Sequence, residues 1–144
     1  MLEMFYPRRY EVSAYVIPYD HYHANGIRGV IFDIDNTLAN HDAPADDQAV
    51  ELFEHLHQIG MNTCLLSNNK EPRVKHFADK VGSAYIHKAG KPKRDGYERA
   101  MERMGTDRET TIFVGDQLFT DVYGANRAGI YSILAVSYTH LTLP

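Results

Sequence analysis

The stretch Gly29-Val30-Ile31-Phe32-Asp33-Ile34-Asp35-Asn36-Thr37-Leu38 passes without a break from an apolar run into two carboxylates. Residues two apart on a strand point to the same side, so Asp33 and Asp35 meet where a buried strand leaves its sheet. Carboxylates in an otherwise apolar segment are costly unless a cation, hydrogen bonds or protonation offsets their charge. Each of those devices is also a tool of catalysis. The plainer alternative is an exposed turn in which both acids merely cap the next element.

Outward from this stretch, strand-like apolar runs alternate with amphipathic helical ones. Strands are predicted over 29–32, 62–66, 84–86, 110–114 and 131–136. One helical stripe consists of Ala49, Leu52, Phe53, Leu56 and Ile59, a second of Val74, Phe77, Ala78 and Val81, and a third of Tyr97, Ala100, Met101 and Met104. Glycines 60, 82, 105 and 129 mark the helix stops, and Pro72 suits a first helical turn. Strands alternating with helices give a parallel sheet covered by helices, the α/β class.

At 144 residues, the chain has the length of one domain with a proper core. A net charge of -4 with interspersed signs offers no broad basic field, so nucleic acid is not the expected partner. The single cysteine, Cys64, has no disulfide partner and suits a reducing, cytoplasmic setting. No run reaches the roughly 20 apolar residues of a membrane span, and the N-terminus lacks a signal-peptide pattern. His21 and His23, like His55 and His57, are spaced so that they do not face each other on a helix, which argues against a histidine metal site.

Three later segments repeat the pattern of a polar group at a strand end. Ser67-Asn68-Asn69 follows Leu66 and precedes the Pro72 helix, a place where a hydroxyl, loop N–H groups and a helix N-terminus can hold a phosphate. Lys91, fixed by Pro92 within a basic loop, can neutralise phosphate charge. Gly115-Asp116-Gln117-Leu118-Phe119-Thr120-Asp121 supplies a second acidic cluster. A hard cation such as Mg²⁺ takes oxygen ligands, and Asp33, the Asp35 carbonyl and Asp116 could share one, with Asp121 orienting Lys91 or a metal water. Taken singly, each segment also reads as an ordinary capped or solvated loop.

Together the four segments resemble the haloacid dehalogenase superfamily of phosphohydrolases. With Phe5-Tyr6-Pro7, Gly26-Ile27 and Gly124-Ala125-Asn126-Arg127 they look closest to its YqeG-type branch of subclass IIIA, related to phosphatidylglycerophosphate phosphatases. The resemblance implies a Rossmann-like three-layer α/β/α sandwich with a capless core. It also implies an Mg²⁺-dependent phosphatase in which Asp33 is the nucleophile that carries an aspartyl-phosphate. Asp35 would be the general acid and base, Ser67, Asn68 and Lys91 would bind phosphate, Asp33, Asp35 and Asp116 would hold metal, and Thr37 and Asp121 would support them.

The intervals from Leu38 to Ser67 and from Asn69 to Lys91 have room for one helix and one strand each, and none for a cap. Members of the superfamily that handle small metabolites commonly close a lid over the site, whereas an open mouth suits a large or surface-presented substrate such as a lipid head-group phosphate. The resemblance points to phosphatidylglycerophosphate, with a phosphorylated small molecule as the other substrate class. Residues 1–28 form an aromatic arm with Phe5, Tyr6, Tyr10, Tyr15, Tyr19, Tyr22, Arg8 and Arg9, expected to pack on the 29–136 phosphatase domain or to meet a membrane interface or another protein. The tail, residues 137–144, reads as a translated cloning junction rather than a natural ending. A soluble sugar or metabolite phosphatase and a non-catalytic Mg²⁺-binding regulatory protein stay open as alternatives. Oligomeric state is not legible in the chain.

Overall fold

Six strands, all parallel, form one sheet at the centre of the computed structural model, which describes residues 2–136. The expectation about the 137–144 tail lies outside the described residues. The strands are β1 (Arg9–Glu11), β2 (Gly29–Phe32), β3 (Asn62–Leu66), β4 (Ala84–Ile86), β5 (Thr111–Gly115) and β6 (Tyr131–Ala135), arranged in the order β1-β6-β5-β2-β3-β4. Three of the five sequence-predicted strands keep their bounds, β5 lies one residue later, and β6 ends one residue earlier. The helices are α1 (Tyr19–Ala24), α2 (Asp47–Gln58), α3 (Glu71–Val81), α4 (Arg94–Met104) and α5 (Tyr123–Arg127).

The central strands are apolar on both faces, as a parallel sheet covered on both sides requires. Val30, Phe32, Leu65, Ile112 and Val114 face one layer, built by Tyr19 of α1, Phe53 and Leu56 of α2, and Val74 and Phe77 of α3. Ile31, Cys64, Leu66 and Phe113 face the other, built by Tyr97, Ala100 and Met104 of α4 and Ala125 of α5. The period of two along each strand sorts these side chains between layers, and the helical stripes meet them. Pro72 stands in the first turn of α3, and Gly82 closes that helix in the left-handed region at φ 72°.

Residues ahead of β2 contribute a strand that the sequence reading did not separate from the arm. β1 pairs in parallel with β6, Arg9 opposite Ile133 and Glu11 opposite Ala135, at one edge of the sheet. Phe5 stacks on Tyr123 at 4.4 Å and meets Phe119 edge-on at 5.3 Å. The Tyr15 hydroxyl donates to the Leu38 carbonyl at 2.6 Å, and Tyr19 is buried. Tyr6 and Tyr10 stay exposed.

Register decides what gathers at the carboxyl edge. Phe32 lies opposite both Leu65 and Val114, so β3 and β5, which end at Leu66 and Gly115, each run one residue past the end of β2. The loops that follow them carry Asp33, Ser67 and Asp116, and β4 delivers the loop to Lys91 beside them. No cap interrupts these loops, and among the described residues no helix is long and apolar enough to cross a membrane.

Phe32, fully buried between Tyr19 at 6.0 Å and Phe53 at 5.1 Å, anchors the last turn of β2 before the acids. Replacing it with alanine leaves a cavity and is expected to cost about 3–5 kcal/mol, read from urea denaturation at fixed pH. A loss below about 1 kcal/mol would mean that the layer closes over the gap without it.

Candidate active site

β2 ends in a tight turn rather than a long loop. The Asp33 amide donates to the Val114 carbonyl at 3.0 Å, continuing the ladder one residue past the strand. Thr37 and Leu38 amides then fold back on the Ile34 carbonyl at 3.1 and 2.9 Å. That turn leaves Asp33 facing Lys91, whose ammonium lies 2.9 Å from Asp33 Oδ1 and 2.8 Å from Asp121 Oδ1. The Thr37 hydroxyl lies 3.3 Å from Asp33 Oδ2 and 3.4 Å from Asp116 Oδ1, between the two carboxylates.

Asp121 is fully buried and fully engaged. Its Oδ1 takes Lys91, while its Oδ2 accepts the Asp116 and Gln117 amides at 3.1 and 3.2 Å. The π-type turn Leu118–Val122 that carries it is pinned by Tyr97, whose hydroxyl reaches the carbonyls of Thr120 at 2.6 Å and Asp121 at 3.1 Å. Gly115 and Gly124 leave the space this packing needs, since a Cβ at either would strike Asp121 or Tyr97.

Ser67 and Asn68 sit where the sequence placed them, at the end of β3. The Ser67 hydroxyl accepts the Asn69 amide at 3.0 Å. The Asn68 side chain grips the Lys91 main chain at both ends, accepting its amide at 2.8 Å and donating to its carbonyl at 3.2 Å. Asn68 therefore fixes the backbone from which the lysine projects. Asp35 turns away from Asp33: Oδ1 accepts the Arg73 guanidinium at 2.7 Å and the Asp42 amide at 2.8 Å, and Oδ2 accepts Asn69 Nδ2 at 3.2 Å.

Charge in this cluster is unbalanced. Oxygens of Asp33, Asp116 and Asp121 lie within 4.8 Å of one another, with Lys91 as the cation bonded to two of them. Burial and the charge of Asp33 push Asp116 up to about 8, and the same two causes raise Asp121 to about 6. Burial works against the charge of Lys91, but Asp121 and Asp33 outweigh it and hold the ammonium well above its ordinary range. Burial also works against ionised Asp35, yet the Asp42 amide and Arg73 together hold that carboxyl below its ordinary value. A set of hard, anionic oxygens that repel one another in this way fits a divalent cation.

Asp33, Asp35, Asn68 and Lys91 open, together with Asn36, His41, Asn69, Gln117 and Thr120, into a pocket of about 180 Å³, whose lining does not include Thr37, Ser67, Arg73, Asp116 or Asp121. Arg73 was not singled out from the sequence. One signal could have found it: an arginine in the first turn of α3 opposes the helix dipole and so calls for an acidic partner.

Residues 39–129 match the model of the haloacid dehalogenase-like hydrolases. The chain is 37% identical over 138 residues to the Bacillus subtilis protein named Probable phosphatase YqeG, an alignment covering 94% of this chain and 80% of that one. Among solved structures, the HAD phosphatase from Thermococcus onnurineus superposes with a TM-score of 0.61 at 16% identity, over 75% of this chain and 86% of that one. The cobalt-bound deoxy-D-mannose-octulosonate 8-phosphate phosphatase of Haemophilus influenzae gives 0.58 at 16% identity, over 78% and 80%. These two likenesses bear on the fold, which they share.

With Asp116 raised to about 8, the metal-free folded chain holds this proton more tightly than an unfolded chain with its ordinary value of 3.8. That contribution to stability is complete below about pH 4 and is lost as pH rises through about 8. In EDTA the melting temperature is expected to fall between pH 5 and pH 8.5, Asp116→Asn to flatten that fall, and Mg²⁺ to stabilise most at the alkaline end. An unchanged slope in Asp116→Asn would contradict the assignment.

Proposed function

The chain belongs to the haloacid dehalogenase-like hydrolase family, and we propose that it hydrolyses a phosphate monoester through an aspartyl-phosphate on Asp33. One observation carries the reading: a carboxylate at a strand end, 2.9 Å from a buried ammonium, on the lining of an open pocket. A side-chain carboxylate so placed is a nucleophile for phosphorus, and the ammonium matches the charge of the incoming phosphoryl oxygens.

In the first step an Asp33 oxygen bonds to phosphorus as the ester P–O bond breaks, and Asp35 gives its proton to the departing alcohol oxygen. In the second, water loses a proton to Asp35 and bonds to phosphorus, the acyl-phosphate P–O bond breaks, and Asp33 and inorganic phosphate are regenerated. Arg73 and the Asp42 amide favour the anion of Asp35, the form the second step needs. A phosphoryl dianion arriving nearby adds negative charge and raises the proton affinity of that carboxyl for the first. Lys91 supplies positive charge to the phosphoryl group, while Ser67 and Asn68 hold the loop that seats it.

Asp33 and Asp116, with the main-chain carbonyl of Asp35, are the groups proposed to hold Mg²⁺. The ion would supply Lewis-acid charge against the negative charge that develops on the phosphoryl oxygens. Asp121, its oxygens committed to Lys91 and to two amides, positions rather than ligates. Thr37 bridges Asp33 and Asp116 from the side.

The proposed substrate is a lipid phosphomonoester of the phosphatidylglycerophosphate kind, met by a cytoplasmic protein at the membrane periphery. Phe119, 72% exposed, and Leu118, 43% exposed, stand between the pocket-lining residues Gln117 and Thr120, and Phe5 meets the Phe119 ring edge-on at 5.3 Å. A rim of that kind suits a surface-presented head group. A soluble phosphorylated metabolite is the second reading, favoured by the modest volume of the pocket itself.

Mg²⁺-dependent phosphate release from phosphatidylglycerophosphate in mixed micelles, beside a panel of soluble esters, tests this. Asp33→Asn is expected to abolish release, and Phe119→Ala to reduce it severalfold on the lipid while sparing soluble esters. Release from soluble esters alone would move the substrate to a metabolite. Release undiminished in Asp33→Asn would overturn the mechanism.

A further inference from the structure

Arg73 is held by three contacts and touches none of the phosphate-seating groups. One terminal nitrogen donates to Asp35 Oδ1 at 2.7 Å, the other to the Ala43 carbonyl, and the guanidinium lies 5.5 Å from the centre of the Phe77 ring. Its side chain is 14% exposed. It is absent from the lining of the acidic pocket and lines instead a shallow depression with Asp42, Pro44, Pro72 and His76. The guanidinium therefore reaches Asp35 from the side away from the substrate.

Its geometry is set by the two terminal nitrogens. Nε is buried and has no acceptor among the described residues, an arrangement that proteins avoid unless something else fixes the group. Here the fork spans two segments, the Asp35 turn and the loop ahead of α2, and a planar guanidinium is the side chain that can serve both at once.

We propose that Arg73 is the positioning residue of Asp35, sorting its two oxygens so that Oδ1 is the anchor and Oδ2 carries the proton to the leaving group. Oδ1 takes two donors, one of them charged, and Oδ2 takes only the weaker contact from Asn69 at 3.2 Å. A carboxyl anchored through one oxygen protonates on the other, because a proton on Oδ1 would face two donors. Asn69, like Asp35, lines the pocket, so Oδ2 is the oxygen tied to the substrate side. This inference rests on the acid–base role of Asp35 given above.

The dependence of turnover on the leaving group distinguishes this role from a structural one. A general acid matters greatly for an alkoxide and little for a nitrophenolate, which departs without help. With n-hexyl phosphate and p-nitrophenyl phosphate as probes, Arg73→Met is expected to lower kcat/KM, which reports phosphoryl transfer to Asp33 and not the later hydrolysis common to both esters, by about tenfold or more on the alkyl ester. Its kcat/KM on the aryl ester should fall less than threefold. Arg73→Lys, which keeps the charge and loses the fork, is expected to recover part of the alkyl activity, and it carries the test if Arg73→Met does not fold.

Asp35→Asn run in parallel separates the two claims. Selective loss of kcat/KM on the alkyl ester in Asp35→Asn, with both Arg73 variants lowering kcat/KM on the two esters equally or on neither, would overturn the role of Arg73 and leave that of Asp35 standing. An unaltered alkyl-to-aryl ratio in Asp35→Asn, or a wild type inactive on both esters, would overturn the acid–base reading and this inference with it.

Discussion

The structure turns on one buried cation. Lys91 stands between Asp33 and Asp121, drawn from three different strand ends, and its side chain is 4% exposed. Removing a charge of this kind from water costs several kcal/mol, which only close opposite charges and further hydrogen bonds offset. Supporting contacts accordingly converge on it. Asn68 clamps its backbone, Tyr97 pins the turn that carries Asp121, and the amides of Asp116 and Gln117 take the far oxygen of Asp121. A parallel sheet suits this construction, because its carboxyl edge brings loops from neighbouring strands to one line.

The same arrangement leaves negative charge to spare. Lys91 answers two of the three converging carboxylates, and the third, Asp116, answers burial and the nearby Asp33 by holding its proton. The site thus rests in a state that a divalent cation would relieve, and the groups proposed to receive phosphate are already held in place. Preorganised charge of this sort acts in the transition state without reorganisation at the moment of reaction. Asp35 belongs to a different subsystem, tied to Arg73, Asp42 and Asn69 rather than to Lys91. That division gives the proposed nucleophile and the proposed proton carrier, two residues apart, separate cationic partners, Lys91 and Arg73.

Much of this was legible in the chain. The apolar runs of β2, β3 and β4 are bounded by polar strand-end residues, and the helical stripes are amphipathic, so the strand positions and the class of a parallel sheet covered by helices followed from period, while the register did not. The family resemblance rested on the same strand ends. β1 was not legible: Arg9-Tyr10-Glu11 has three residues, no apolar run and one buried face at most, and only its pairing with β6 makes it a strand. Arg73 was missed because its partner lies 38 residues away and its own neighbourhood reads as an ordinary helix start. Asn68, expected at the phosphate, uses its side chain on the main chain of Lys91, a contact that no local pattern announces.

The central claim is that Asp33, held by Lys91, carries the phosphoryl group. Rapid acid quench of the enzyme turning over a ³²P-labelled ester, followed by peptide mapping, measures this directly. A hydroxylamine-labile label on the peptide bearing Asp33, chased by unlabelled substrate, is the result the account predicts. Steady turnover with no labelled protein at any quench time, or with the label on another residue, would contradict it.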